Sequence, residues 1–543
     1  MLKCIALWFL SLAWNSSASK IRFFIDTSVP VHVVNPLSPS VAMGLGIFEY
    51  RWVDYFRDEK FLTLARGLGP SYLRVGGTKA DFITFYQNDE DRVSSYIKQR
   101  SLVEGSEHQC QQQLRDEEVF QAHRKWADAQ QLLFKEEKRK FGIRQVLKPL
   151  KMTAADWDKL NEFCQCVGWK LVFGLNLLKR DGEVWNSTNA EQLLQYTEYK
   201  YNVNWELGNE PDSYFHKTGI SLSAEQVGDA FLRLKDILQK SGWWNSSMIL
   251  GPDANRIGTR SAGQFLKNFL ETAASTITGV TFHQYYLNGK TATPEEFLNK
   301  TVLNSIIPKL QQVRKIVQRT AHGRPLWLGE TASAFGGGAP GMSNSFIDGF
   351  TWLDKLGMAS KMGVDMVIRQ SFIQSNYDLV DSNFDPLPDY WLTLIYKRLV
   401  GPQVLNVTLQ KCLQKTGSCR SVTHGHFRMY AHCTKSTVYP HGSVVIYFIN
   451  LKPKPVKVTM KPLRSKVAKP ELFLLEPGVP GNLTSNEVRL NGKLLRLTSA
   501  GTFPPLQPTY LHPRALTKGF RIPGHSFGFL ALNKFRANAC FQE

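Results

Sequence analysis

Between residues 41 and 372, eight short apolar runs recur, separated by longer stretches of amphipathic pattern. The runs are 42–48, 71–75, 170–175, 203–207, 248–250, 280–283, 325–328 and 366–370. They are rich in Val, Ile and Leu on both alternating faces, as strands buried in a parallel sheet are. The intervals 225–238 and 306–317 repeat apolar residues with a helical period. Eight strand–helix units predict an α/β fold, a (β/α)8 TIM barrel over 41–395. A doubly wound sheet, the rival, calls for a Gly-rich dinucleotide turn after its first strand, and no convincing one is present.

One interval is too long for a barrel loop. Residues 94–145 are polar and highly charged, without a strand signal. Such an insertion is functional, disordered or removed, or else a helical excursion on the surface. After residue 396 the texture changes to short alternating runs punctuated by Pro and Gly, at 443–449, 456–460, 472–475, 495–497 and 526–532. This predicts an additional C-terminal β-sandwich domain over 396–543. Residues 21–34 alternate like a strand ahead of the barrel, so 20–40 is expected to pair with that second domain.

Residues 1–19 read as a secretory signal: Lys3, an apolar run from Cys4 to Trp14, then small residues around Ala18. No later run approaches membrane-spanning length. A secreted chain meets an oxidising lumen. Of eight cysteines, seven lie beyond the leader, so at least one stays free. None has the paired spacing of a zinc site, and no metal or cofactor is expected. Cys433 and Cys540 could staple the last strand, closing a loop of about a hundred residues worth several kcal/mol. Cys412 and Cys419 can pair with each other, and the partners of Cys110, Cys164 and Cys166 stay open. Sequons at Asn186, Asn245, Asn299, Asn406 and Asn482 agree with secretion and glycosylation. The net charge of +20 favours an acidic polymer or surface as partner. A secreted chain without a reading motif argues against nucleic acid.

Barrel chemistry sits at the C-terminal ends of strands. The fourth run ends in W-E-L-G-N-E-P (205–211) and the seventh in W-L-G-E-T (327–331). Each closes with an apolar strand, a Gly and a Glu. Glu210 and Glu330 are therefore expected to face one another across the mouth. Two such carboxylates suit glycoside hydrolysis with retention, which needs them about 5–5.5 Å apart. Asn209 is placed to bond the sugar 2-hydroxyl and the nucleophile, and Pro211 stiffens the turn. Taken singly, either glutamate could be a solvated loop acid; the specificity lies in the pair.

The segments L-A-R-G-L-G-P-S-Y-L-R-V-G-G-T-K (64–79), W-E-L-G-N-E-P (205–211), Y-Y-L-N-G-K-T-A-T (285–293), W-L-G-E-T-A-S-A-F-G-G-G-A-P (327–340) and N-F-D-P-L-P-D-Y-W-L (383–392) carry a resemblance. Across nearly the whole chain, the sequence resembles the heparanases, endo-β-glucuronidases of glycoside hydrolase family 79 that cut heparan sulfate. The resemblance implies a barrel with a β-sandwich, Glu210 as proton donor and Glu330 as nucleophile. It implies that the Gly336 and Gly337 amides, with Tyr377, receive the glucuronate carboxylate, and that Thr78, Lys79, Tyr285, Lys290 and Gln370 line the cleft. Read without it, Tyr285 is equally a core aromatic, Lys290 a solvated charge, Gln370 a strand-end cap, and Thr78 and Lys79 turn residues. It further implies that a linker, 91–138, blocks the cleft and is excised by a lysosomal protease near Glu90 and Lys138. A small and a large fragment would then remain as a noncovalent heterodimer, secreted to the extracellular matrix and lysosome. The family has a bulky aromatic just before the second cut, where this chain has Glu137.

Lys138, Arg139, Lys140, Arg144, Lys148 and Lys151 form a run without an acid. Lys140, Arg144 and Lys148 would share one helix face, and the run matches a heparin-binding segment of the family. A second such segment is thinner, with Arg256, Arg260 and Lys267. A further basic run spans 452–469. His216 stands where the family has Lys, and the region 48–51 also departs. Competing with an endo-glucuronidase acting on heparan sulfate proteoglycans are an exo-acting glucuronidase and a heparan sulfate binder without catalysis.

Overall fold

The structure, a computed structural model, describes residues 20–87, 110, 115–255, 257–412, 418–460 and 469–541. The signal segment, the cut near Glu90 and Arg256 lie outside the described residues.

Eight parallel strands close into a barrel. In chain order they are Ser40–Gly44, Ser71–Gly76, Trp169–Leu175, Val203–Leu207, Ile249–Ala254, Gly279–His283, Leu326–Thr331 and Met366–Gln370. The ring closes where Ile368 of the eighth strand pairs with Ser40 of the first. Every predicted run lies on one of these strands, with two informative differences at the ends. The first strand stops at Gly44, because the apolar run continues into the short helix Gly46–Glu49, where Ile47 and Phe48 are buried. The fifth extends past residue 250 to include Asp253, an acid in a strand that is buried throughout. Ala42, Tyr72, Val172, Leu250, Trp327, Met366 and Ile368 form a separate apolar cluster. Tyr72 lies two residues before Arg74 and so shares its face. The cluster therefore floors the barrel, leaving polar side chains above it at the strand ends.

The C-terminal region is rich in sheet. One sheet has five strands and the other nine. The run expected at 495–497 is not a strand; the chain pairs at Lys493–Leu494 instead. The N-terminal segment joins both sheets. Lys20–Ile25 lies between Val407–Cys412, antiparallel, and Val456–Met460, parallel. His32–Val33 pairs with Val400–Leu405. Disulfides join Cys433 to Cys540, Cys412 to Cys419 and Cys110 to Cys166, and Cys164 is free and buried.

Helix Asp348–Lys361 is the wedge between barrel and sheet, buried along almost its whole length. Gly357 allows that approach: a Cβ there would meet the Tyr430 ring at 2.3 Å. The same surface holds a buried ion pair. Arg428 Nη1 donates to both Asp354 carboxylate oxygens at 3.0 Å, and the Tyr430 hydroxyl donates to Oδ1 at 2.6 Å. Burial pushes the Asp354 carboxyl up and the guanidinium opposes it. Arg428→Met strands that acid in the interior, so it should cost about 3–5 kcal/mol, read as a lower urea midpoint. Arg428→Met with Asp354→Leu should recover most of the loss.

Candidate active site

The second, fourth, fifth and seventh strands each end in a charged side chain, and one guanidinium gathers them. Arg74 is 1% exposed. Its Nε donates to Glu206 Oε2 at 2.8 Å, and its Nη1 to Glu330 Oε2 at 2.9 Å. Its Nη2 donates to Asp253 Oδ2 at 2.6 Å and Asn209 Oδ1 at 3.0 Å. The Tyr285 hydroxyl donates to the other Glu330 oxygen at 2.7 Å. Asn209 therefore reaches the seventh strand through Arg74, its amide oxygen being taken by the guanidinium.

Glu210 follows the fourth strand in a left-handed conformation, φ 57° and ψ 55°, and Pro211 opens the turn Pro211–Ser213. Non-glycine residues rarely adopt that region, and such strain clusters at functional sites. Its Oε1 lies 3.0 Å from His283 Nδ1, and its Oε2 accepts from the Lys217 ammonium. Burial pushes the Glu210 carboxyl up, but Lys217 and His283 outweigh it and bring it down to about 2. Burial opposes charge on His283, yet Glu330, Asp253 and Glu210 hold its ring protonated, with a value raised to about 10. Asp253 resists burial through Arg74 and His283 and lies well below the usual carboxylate range. Glu206, in contrast, is pushed up to about 8 by burial against the pull of Arg74, so it carries the proton of this crowded set.

Glu210, His283 and Glu330 offer ligand-type atoms within 4.8 Å of one another. Arg74, Lys217 and the imidazolium stand where a metal's charge would go, so this donor set does not fit a metal ion. What it does supply is two carboxylates close together, each fixed by its own cation.

Around the pair, Tyr377 stacks on Tyr285 with ring centres 6.3 Å apart. Gly336, Gly337 and Gly338 all have positive φ, and Gly337 O accepts from the Asn376 amide at 2.9 Å, which joins this loop to the Tyr377 segment. Gln370 closes the eighth strand and is buried. Thr78 and Lys79 open the turn Thr78–Phe82. The Lys79 ammonium bonds Glu49 and lies 4.6 Å from the centre of the Phe134 ring. Lys290 is exposed.

Phe134 belongs to helix Glu117–Phe141, which packs on the segments that follow the first, second and eighth strands. His123 Nε2 is 2.9 Å from Tyr50 O, and Asp128 accepts from Ser382. A cavity of about 320 Å³ between this helix and residues 373–387 is lined by Trp52, Asp128 and Asp378, beside the carboxylate pair rather than over it. Lys138, Arg139 and Lys140 form the last turn of the helix, and Gly142, φ 82°, ends it. Arg144 and Lys148 therefore do not continue that face, contrary to the expected alignment. Arg144 turns instead to the Phe215 carbonyl and ring. Lys267 pairs with Glu271 on its own helix, and Arg260 is exposed at its first turn. Asn245, Asn299 and Asn482 are exposed, while Asn186 and Asn406 are half-buried.

Several working residues escaped the sequence reading: Arg74, Glu206, Asp253, His283, Lys217 and Asp81. The available signal was a charged residue inside an apolar strand, as in Y-L-R-V and G-P-D-A. Lys217 carried none, because its role depends on the fold of helix Tyr214–Thr218.

A glycosyl hydrolase family 79, N-terminal domain model matches residues 112–357. A heparanase of Bos taurus is 36% identical over 534 residues, covering 96% of this chain and 93% of that protein. The chain belongs to glycosyl hydrolase family 79. Inactive heparanase-2 of Homo sapiens is 33% identical, over 95% of this chain and 89% of its own length. Among solved structures, a GH51 arabinofuranosidase from Xanthomonas axonopodis pv. citri aligns over 95% of this chain and all of its own, with a TM-score of 0.61 and 14% identity, a likeness of fold alone.

Asp81 underlies the fourth-strand turn. It accepts from the Tyr214 hydroxyl at 2.6 Å and the Asn209 amide at 3.1 Å. Burial pushes its carboxyl up to about 7 against these bonds. The folded chain therefore holds a proton that the unfolded chain releases near pH 4. Stability from this group is complete below that value and is lost as pH rises through 7. Asp81→Asn should flatten the fall in melting temperature between pH 5 and pH 8 in thermal scans, while the wild type melts lower at pH 8.

Proposed function

We propose that the chain is a retaining endo-β-glucuronidase that cleaves internal glucuronosyl linkages of heparan sulfate. The observation that carries this reading is the separation of the pair: carboxylate oxygens of Glu210 and Glu330 lie within 4.8 Å. That spacing suits direct attack rather than an inverting mechanism, whose carboxyls stand about 6.5–9.5 Å apart to admit a water. Glu330, with both oxygens fixed by Arg74 and Tyr285, attacks the anomeric carbon. Glu210 protonates the leaving oxygen. Gly336, Gly337 and Tyr377 receive the glucuronate carboxylate, and Thr78, Lys79, Asn209, Lys290 and Gln370 line the remainder of the cleft. Arg139 and Lys140, with Arg144, Lys148, Arg256, Arg260 and Lys267, attract the polyanion, and Lys138 adds to them in the uncut chain.

Activation follows from the covering helix: removing the segment 91–138 would uncover Lys79 and the space beside Lys217. The fragments would stay joined, since the first two barrel strands lie between the eighth and third, and Lys20–Ile25 lies between two strands of the sandwich. The reading places the protein in the secretory route, extracellular matrix and lysosome, with matrix remodelling as its role. Among the described residues no helix is long and apolar enough to cross a membrane. The inactive relative keeps a binder without catalysis as the second reading, against which the paired carboxylates count.

Glu330→Gln should abolish the fall in heparan sulfate chain size seen by size exclusion after protease treatment at acidic pH, yet leave retention on a heparin column. Cleavage at the wild-type rate would contradict the assignment, and release of single glucuronates without a fall in size would point to exo action. Cys110 lies inside the proposed linker but is bridged to Cys166 on helix Ala154–Val167. After cleavage the excised segment should therefore co-migrate with the large fragment on a non-reducing gel and separate only on reduction.

A further inference from the structure

On the glucuronidase reading, the Lys217 ammonium occupies the position where the proton donor would carry its proton. Lys217 stands on helix Tyr214–Thr218, seven residues after Glu210, and bonds Glu210 Oε2. Only 17% of its side chain and 12% of the glutamate's are exposed. A carboxylate held this way is a poor acid, and general-acid catalysis needs the reverse. The mechanism therefore requires Lys217 to leave Glu210 before the sugar bond breaks.

The surroundings show where it can go. Glu210 is faced by Lys217 from the short helix, His283 from the sixth strand, Glu330 from the seventh, Tyr285 beyond the sixth and Asp212 from its own turn. Lys217 is faced by Glu210, Glu330 and Asp81, and by Lys138 of the covering helix. Burial, then the like charges of Lys290 and Lys217, hold the Lys138 ammonium below its ordinary value. In the uncut chain Lys138 thus meets two like charges, Lys217 and Lys290, and it departs with the segment 91–138 in the activated protein. A long, flexible lysine stem suits exchange between two anions.

We propose that Lys217 is a displaceable counter-ion of the proton donor, paired with Glu210 in the empty site and drawn off by a sulfate or carboxylate on the sugar of the leaving-group side. This rests on the glucuronidase reading and adds a coupling to it. With Lys217 gone and His283 still on Oε1, the released Oε2 of Glu210 takes a proton from solvent and delivers it to the glycosidic oxygen as the carbon–oxygen bond breaks and a Glu330 oxygen bonds the anomeric carbon. A chain lacking the anion leaves Lys217 in place and the donor ionised. Lys217 would then be a positioning residue that makes the cut depend on charge next to the scissile bond.

The test compares two oligosaccharides, one with a sulfated and one with an unsulfated glucosamine on the leaving side, using the protease-activated protein. For the wild type, the basic limb of the kcat profile should lie at higher pH for the sulfated substrate. In Lys217→Met the limb for the unsulfated substrate should rise by about one pH unit or more, since an opposite charge beside a carboxyl shifts it by that order. The preference for the sulfated substrate in kcat should fall about tenfold. A flat comparison, with limb and preference as in the wild type, overturns the proposal, as does a limb moved to lower pH. Lys217→Gln, read the same way, decides the case if the methionine variant does not fold by thermal melting. Glu210→Gln in the same series separates the two levels. If the wild type cuts neither substrate, or Glu210→Gln cuts both, the glucuronidase reading fails. If those hold and the Lys217 profiles do not move, the counter-ion proposal fails alone.

Discussion

A guanidinium sealed from water must find its acceptors in the protein, and an unpaired buried charge costs several kcal/mol. Arg74 finds four, on residues from the fourth, fifth and seventh strands and the turn after the fourth. Satisfying it therefore fixes the mutual height of strands that are not all neighbours in the ring. The ends of those strands are where Glu206, Asn209, Asp253 and Glu330 stand, and Glu210 is one residue beyond Asn209. The position of the carboxylate pair is thus a consequence of solvating one arginine inside a barrel whose floor is apolar.

The electrostatics divide the acids by neighbour rather than by depth. Glu210 is nearly buried and Asp253 and Glu206 fully so, yet the first two are held down by cations while burial wins at the third. The imidazolium of His283 bridges Glu210 and Asp253, so the donor side and the Arg74 network are joined into one charged unit. In the covered state this unit is nearly balanced internally. An anion entering between these groups would have to compete with that internal balance.

Much of the barrel was legible because buried parallel strands leave an unmistakable apolar record, and the Glu pair was legible because it follows two of those runs. The parts that were not legible share a cause. Phe427–Thr434 is buried at every position but contains Arg428 and His432. Those residues break the alternation, and they are accommodated by partners distant in sequence, among them Asp354 and Asn304 for Arg428 and the Gly401 carbonyl for His432. Arg74, Asp253 and His283 were missed for the same reason. The expected shared face of Lys140, Arg144 and Lys148 failed at Gly142, whose positive φ ends the helix. Periodicity registers what is apolar; it is silent on polar groups whose partners arrive from elsewhere in the fold.

The central claim is that Glu210 and Glu330 cooperate at one anomeric carbon with Glu330 as nucleophile. Its most direct test is proton NMR of the first sugar released from a defined heparan sulfate oligosaccharide, recorded before the anomers equilibrate. A β-configured glucuronate reducing end appearing first is the predicted result, because two displacements restore the starting geometry. An α-configured product appearing first would mean a single displacement by water and would contradict the account.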